Sequence, residues 1–291
     1  MEFISEKNVR KIARDSSARK GDAGRILVIG GSKAYVGAPA LLGLAALRAG
    51  ADWVTIAAPE KVAWAINSVS PDLVTHKFPC EYFDERSEEE ILELSKHYDV
   101  VAIGNGMTGR EDTNLLILQL IRKIPQYKII DADAIKIAKI EDIRNSILTP
   151  HETELEIFLG NNKKNKKMLE EKNPAAKAKK IQAELMELLK SNNVILLKGQ
   201  TDTIISQNQI IFNKTGNAGM SVAGTGDVLA GITAGLLPQT KDMFYAASLA
   251  AYINGKCGDA LLKKIGIGFL ASDLLKEIPK ILKPYRSIKW K

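Results

Sequence analysis

The feature that most constrains this chain is the alternation of short, unbroken apolar runs with longer helical patterns. RILVIGG (25–31), WVTIAAP (53–59), DVVAIGNG (99–106), KIIDAD (128–133), NSILTP (145–150) and VILLKG (194–199) each close on Gly, Pro or polar residues. Such runs lack the period-2 pattern of half-exposed strands, so they suit a sheet covered on both faces, which is the property of parallel sheets. Ala/Leu-rich or 3.6-periodic segments at 38–51, 60–69 and about 111–124 supply the crossovers. TIIS (203–206) and QIIFN (209–213), split by Gln207-Asn208, read as an antiparallel hairpin at one edge. Residues from about 224 to 282 read as helical. The expected fold is α/β, a mostly parallel central sheet with helices on both faces. No repeat or Pro/Gly/Ser-rich linker divides the chain, so residues 1–291 are expected to form one domain.

Charge narrows the function classes. The chain carries 41 basic and 34 acidic residues, a net +7, which alone would invite a polyanionic partner. Eight of the lysines and two glutamates fall within 161–180, leaving 33 basic and 32 acidic residues elsewhere. No aromatics interleave with those lysines, as single-stranded nucleic-acid binding would want. They read as a Lys-rich surface insertion, with Asn173-Pro174 starting the next helix. A nucleic-acid partner is not expected, although a binder using this cluster is the non-enzymatic alternative. Cys80 and Cys257 form no framework and read as buried free thiols of a reducing compartment, with one distant bridge between them as the alternative. The N-terminus has no apolar h-region, and the apolar runs near 228–238 and 243–253 are too short for a bilayer. The expectation is a cytoplasmic protein without membrane contact. His76 and His97 read as surface residues, and no metal-ligand set is assignable.

Ligands of open parallel sheets bind beyond the carboxyl ends of the strands, and the polar, Gly-rich segments sort onto that one rim. In AGTGDVLAGITAGLL (223–237), Gly224, Thr225 and Gly226 make a turn into a helix start. Free N–H groups and the helix dipole there favour an anion such as phosphate. Asp227, in the first turn, could take a proton from a hydroxyl attacking a phosphoryl group. The plainer alternative is a Gly-rich turn with a dipole-satisfying Asp. GNGMTG (104–109) fits GxGxxG, with Asp131 and Asp133 ending the following strand, which makes a dinucleotide dehydrogenase a competitor. Its position counts against it, because an earlier strand and the Gly-rich loop 30–39 precede it. Asp131 and Asp133 could otherwise bind a metal through water or cap the next helix, and capping is the default reading. Thr149-Pro150-His151-Glu152 reads as a capping box running from Thr149 to Glu152, and His151 could equally face a ligand. Lys198-Gly199 is either a strand-ending turn or a phosphate contact.

Taken in order, KGDAGRILVIGGSKAYVGAPALLGLAALRAGA (20–51), AIGNGM (102–107), DADAI (131–135), LTPHETE (148–154), VILLKG (194–199) and NKTGNAGMSVAGTGDVLAGITAGLL (213–237) resemble the ADP/ATP-dependent NAD(P)H-hydrate dehydratases, carbohydrate-kinase-like members of the ribokinase superfamily. The resemblance runs from about residue 8 to 283. The epimerase domain often fused ahead of it in the family is not found, so the chain resembles the stand-alone dehydratase. The resemblance implies a ribokinase-like fold and repair of the S-epimer of hydrated NADH or NADPH (NADHX, NADPHX) at the expense of ADP, or less commonly ATP. It further implies Mg²⁺ and a homo-oligomer, with a tetramer as one form. By motif position Ala38, Gly106, His151 and Asp227 would contact the hydrate, and Lys198, Gly199, Gln200, Thr201, Asp202 and Gly226 the adenine nucleotide. Asp227 would be the base, and Gly224, Thr225 and Gly226 the anion hole. Asn105 and Ala218 stand where the family usually has Pro, and Thr153 where it usually has Gly. A small-alcohol kinase of the same superfamily, for a hydroxymethylpyrimidine or a sugar, is the enzymatic alternative.

Overall fold

The computed structural model describes residues 1–290. Its strands are β1 (Ile12–Asp15), β2 (Arg25–Ile29), β3 (Trp53–Pro59), β4 (Val74–Phe78), β5 (Val100–Ile103), β6 (Tyr127–Ile130), β7 (Ser146–Leu148), β8 (Asn193–Leu197), β9 (Asp202–Ile205), β10 (Ile210–Asn213) and β11 (Arg286–Lys289). The helices are α1 (Gly37–Arg48), α2 (Glu60–Val69), α3 (Glu88–Ser95), α4 (Glu111–Lys123), α5 (Asp133–Ile137), α6 (Glu152–Asn161), α7 (Pro174–Glu184), α8 (Met186–Lys190), α9 (Thr225–Thr240), α10 (Met243–Ile265) and α11 (Ala271–Leu282).

Nine strands form one sheet in the order β10-β9-β8-β7-β6-β5-β2-β3-β4. From β4 across to β8 every pairing is parallel. Strand β9 runs antiparallel between β8 and β10, so the expected edge hairpin is present and β8 to β9 adds a second antiparallel turn. The chain adds β3 and β4 on one side of β2, then returns to add β5 on the other. That reversal opens a crevice between the loops after β2 and β5, where such sheets take ligands.

The unbroken apolar runs are used on both faces. Ile26 and Val28 of β2, with Val100 and Ala102 of β5, enter a core roofed by α1, α2, α9, α10 and α11. Their neighbours Leu27, Ile29, Val101 and Ile103 enter a second core under α3 through α8. Alternate residues of a strand thus serve opposite layers, and both layers of β2 and β5 are apolar.

Helix α3 and three strands were not legible in the sequence. Edge strand β4 (VTHKF) has mixed exposure, and β1 pairs in parallel with β11 outside the main sheet. Cys80 is half-buried rather than buried, while Cys257 is buried, and both are free thiols. The Lys-rich stretch is a loop with one short turn leading into α7, where Asn173 accepts from the N–H groups of Ala175 and Ala176 as expected. Half of its eight lysines are paired: Lys164, Lys166, Lys177 and Lys180 with Glu187, Glu156, Glu152 and Glu171. Among the described residues no helix is long and apolar enough to cross a membrane.

Helix α9 lies against α1 at backbone contact. A β-carbon on Gly231 would fall 2.2 Å from the Leu42 carbonyl oxygen, and one on Gly235 would fall 2.5 Å from that of Ala46. Helix propensity alone would make Gly231→Ala stabilising by about 1 kcal/mol. The contact reverses the sign: we expect a loss of about 1–3 kcal/mol from overpacking, seen as a lower urea midpoint at unchanged slope.

Candidate active site

The close contact with α1 carries the start of α9 to the rim formed by the carboxyl ends of the parallel strands. Gly224 precedes the helix with φ +97°, a conformation open to glycine, and no side chain caps the helix. The first backbone bond of the helix is Val228 N–H to the Gly224 carbonyl. The N–H groups of the first turn are therefore left for a ligand, and the helix dipole favours an anion there. Thr225 turns its hydroxyl inward onto the Met220 and Val222 carbonyls, which locks the loop. A β-carbon on Gly226 would lie 3.5 Å from Lys198 Nζ. Glycine at 226 thus leaves the ammonium and the helix start facing the same space.

Asp227, third residue of α9, heads a chain of polar contacts across the rim. Its Oδ1 accepts from Asn105 Nδ2 at 2.6 Å, and the same Nδ2 donates to Asp131 Oδ2 at 2.8 Å. Asp131 Oδ1 accepts from Lys198 Nζ at 3.1 Å and from the Thr149 hydroxyl at 2.7 Å. Lys198 also lies 3.5 Å from Glu154 Oε2, which accepts the His151 N–H at 2.8 Å. Segments after β5, β6, β7 and β8 and the starts of α6 and α9 thus meet in one network. Burial pushes the Asp227 carboxyl up to about 6; the neighbouring Asp131 charge adds to this, while Asn105 and Lys198 oppose it. Burial also works against the Lys198 charge, but Asp131 and Glu154 outweigh it and hold the ammonium above its ordinary value.

On one side of this network lies a cavity of about 710 Å³. It is lined by Lys198, Gly199, Gln200, Thr201, Asp202, the 214–218 loop, Thr225, Gly226, Asn254 and Gly255, among others. All six residues expected at the nucleotide therefore share it. Asp202 is set into the wall by the Gly199 N–H at 3.1 Å and Asn213 Nδ2 at 3.0 Å. Burial pushes its carboxyl up to about 6, with both hydrogen bonds opposing. Ala38, Gly106 and His151 lie outside this cavity. Gly106 (φ +73°) sits against Tyr35, and its missing β-carbon would be 3.5 Å from that of Ala38, which joins the loops after β2 and β5.

Several sequence expectations change here. The capping box of α6 runs from His151 to Glu154, two residues later than the Thr149–Glu152 box expected. Thr149 is drawn away to Asp131. Asp131 is not a helix cap, and Asp133 instead accepts the Thr108 N–H and pairs with Lys136. Neither is free to bind a ribose, and GNGMTG follows the fourth sheet strand in chain order rather than the first, which removes the basis for a dehydrogenase. His76 is partly exposed against Glu90, and His97 is exposed. Sequence reasoning missed Glu154 and the side-chain role of Asn105. A Glu three residues after His151 was the available sign of the first. Among the described residues no group of three or more His, Cys, Asp or Glu converges on a metal position. Both Asp131 oxygens are already engaged, so the residues present do not make a dedicated metal cage.

Comparison with known proteins matches this arrangement of loops and strands. The family model described as NAD(P)H-hydrate dehydratase matches residues 26–280. The chain is 38% identical over 280 residues to the bifunctional NAD(P)H-hydrate repair enzyme Nnr of Methanothermobacter thermautotrophicus, covering 94% of this chain and 52% of that one. It spans about half the length of the first such relatives it matches. It is 33% identical over 290 residues to the ADP-dependent (S)-NAD(P)H-hydrate dehydratase of Cenarchaeum symbiosum, covering 97% of each. The ADP/ATP-dependent NAD(P)H-hydrate dehydratase of Bacillus subtilis, co-crystallized with ATP/Mg²⁺, superposes with a TM-score of 0.78 at 25% identity over 98% of both chains. A ribokinase of Thermotoga maritima shares the fold, with a TM-score of 0.60 at 14% identity over 89% of this chain and 99% of its own. With its ribokinase-like sheet and a match over most of its length, this chain belongs to the NAD(P)H-hydrate dehydratase family.

Proposed function

We propose that the chain, acting as one domain over residues 1–291, dehydrates the S-epimer of NADHX or NADPHX to NAD(P)H. The co-substrate is ADP, converted to AMP and phosphate, or alternatively ATP. The observation that carries this reading is the placement of Asp227: it is part-buried, bonded to Asn105 after β5, and directly follows Thr225 and Gly226, which line a cavity of about 710 Å³. In this reading the adenine nucleotide lies against Lys198, Gly199, Gln200, Thr201, Asp202 and Gly226. Its reacting phosphoryl group faces the uncapped N–H groups of Gly224, Thr225 and Gly226 and the Lys198 ammonium. Donors fixed in advance stabilise charge developing on the phosphoryl oxygens without reorganising. The hydrate lies against Ala38, Gly106 and His151.

Asp227 accepts the proton of the ring hydroxyl as that oxygen attacks the phosphoryl group, and the shortened nucleotide leaves. The phosphate ester then leaves as phosphate, taking the hydrate oxygen, and loss of a ring proton restores the dihydronicotinamide. Mg²⁺ belongs to this proposal as the counter-ion of the nucleotide, since that ion is commonly held by substrate phosphates and water.

Incubating the protein with the hydrate of NADH and ADP, then ATP, should restore absorbance of the reduced nicotinamide. No recovery with either nucleotide removes the proposal. Asp227→Asn should abolish turnover, a loss of about 10²–10⁴-fold or more, with nucleotide binding retained. The carboxyl must be ionised to act, so kcat/KM should hold above pH 6 and fall as pH drops through about 6, with the limb absent from any residual Asp227→Asn activity.

A homo-oligomer and a cytoplasmic site complete the proposal. Exposed Ile265, Ile267 and Leu270, close together in the chain, support the first, and the two free thiols support the second. Light scattering after size exclusion should give a mass that is a whole multiple, twofold or more, of 31.8 kDa, and the mass of one chain removes the oligomer from the proposal.

A further inference from the structure

We propose that Asn105 is a positioning residue of the reaction, holding the Asp227 carboxylate in place and bridging it to the Asp131 carboxylate. The inference rests on the reading of Asp227 as base and adds a residue to it. Asn105 is 1% exposed, and its amide nitrogen contacts one oxygen of each carboxylate, at 2.6 Å to Asp227 and 2.8 Å to Asp131. An amide nitrogen has two hydrogens, so each carboxylate can receive one. Asn105 Oδ1 is buried without a partner. Half a turn of the amide would set that oxygen against two carboxylate oxygens. The carboxylates therefore decide how the amide points, and the unpaired oxygen marks the cost of that arrangement.

The residue is also rooted. Its carbonyl accepts the Gly31 N–H at 2.9 Å, and it lies between Gly104 (φ +121°) and Gly106 (φ +73°). A β-carbon on Gly30 would come 2.6 Å from the same carbonyl. With its backbone held, the amide has little freedom to follow a moving Asp227; it fixes Asp227 instead.

The charged groups around Asp227 are Asp131 after β6, Glu154 on α6 and Lys198 after β8. Two are anions, and Lys198 makes its direct contacts with Asp131 and Glu154. Asn105 is the donor that touches Asp227 itself. Removing it leaves a buried carboxylate with greater proton affinity and a looser orientation. Because Asn105 does not line the nucleotide cavity, the effect should fall on kcat and its pH dependence rather than on the nucleotide KM.

Three variants read this out beside wild type: Asn105→Ala, Asn105→Ser and Asn105→Asp. Each is followed by thermal melt, nucleotide KM and the pH profile of kcat/KM. Asn105→Ala should move the acid limb up by on the order of one pH unit and lower kcat at pH 7 by about 10–100-fold, with nucleotide KM within about twofold. Asn105→Ser, of similar size to Ala but with a hydroxyl donor, should recover part of both losses. Asn105→Asp keeps the shape but sets a third carboxyl between the other two, so it should fall below Ala. A wild-type acid limb in Asn105→Ala, or Ser no better than Ala, overturns the proposal. If Asn105→Asp does not fold, the Ala–Ser pair still decides. Activity in Asp227→Asn would overturn the base assignment; an inactive Asp227→Asn beside an unperturbed Asn105→Ala would overturn only this inference.

Discussion

The site depends on how closely α9 can approach α1. Gly231 and Gly235 let α9 approach the α1 backbone along Leu42, Ala45, Ala46 and Ala49, where larger residues would hold two helices apart. Buried Ala40, Leu42, Ala45 and Ala46 on α1 meet buried Val228, Ile232 and Leu236 on α9. The helix is thereby seated with its amino end at the topological reversal, where the loops after β2 and β5 part. The uncapped N–H groups, Asp227 and the Gly226 gap to Lys198 all follow from that placement. Packing of small residues thus sets the geometry in which the polar groups act.

Those polar groups set Asp227 apart from the carboxylates around it. Asp131 is 2% exposed and has a donor for each oxygen, from Asn105 on one side and from Lys198 and Thr149 on the other. Glu154, 6% exposed, is held by the His151 N–H and Lys198. Satisfied in this way, both serve as framework. Asp227 has one neutral donor, and burial together with the Asp131 charge beside it raises its proton affinity above the ordinary carboxylate value. The three carboxyls thus differ in the number and charge of their donors.

Much of the layered core was legible because a sheet covered on both faces leaves its mark on every residue of a strand. After the exposed Arg25, RILVI has no polar position, and VVAI has none, to confuse the reading. Edge strand β4 carries Thr75, His76 and Lys77 because its environment is mixed, and β1 and β11 are defined by pairing with one another rather than by burial. The Gly224–Asp227 turn was legible because its chemistry is local. The α6 cap was misplaced because Thr149–Glu152 and His151–Glu154 have the same spacing. The outcome was decided by the draw of Asp131 on Thr149, from 18 residues away. Asn105 drew notice only as a departure from the usual Pro; its contact with Asp227 spans 122 residues and has no sequence signature.

That difference in span has a consequence for how the two halves of the site come into being. The cavity assigned to the nucleotide is lined entirely by residues between 198 and 255, a hairpin, a loop and two successive helices. The Asp227–Asn105–Asp131 bridge requires β5, β6 and α9 to be in final register across the sheet. Contacts of long sequence separation carry the larger loop-closure cost and tend to form late. On that ground the bridge from Asp227 to Asp131 is expected to close after the segment lining the cavity has come together, so the Asp227 carboxylate is among the last parts of the rim to be fixed.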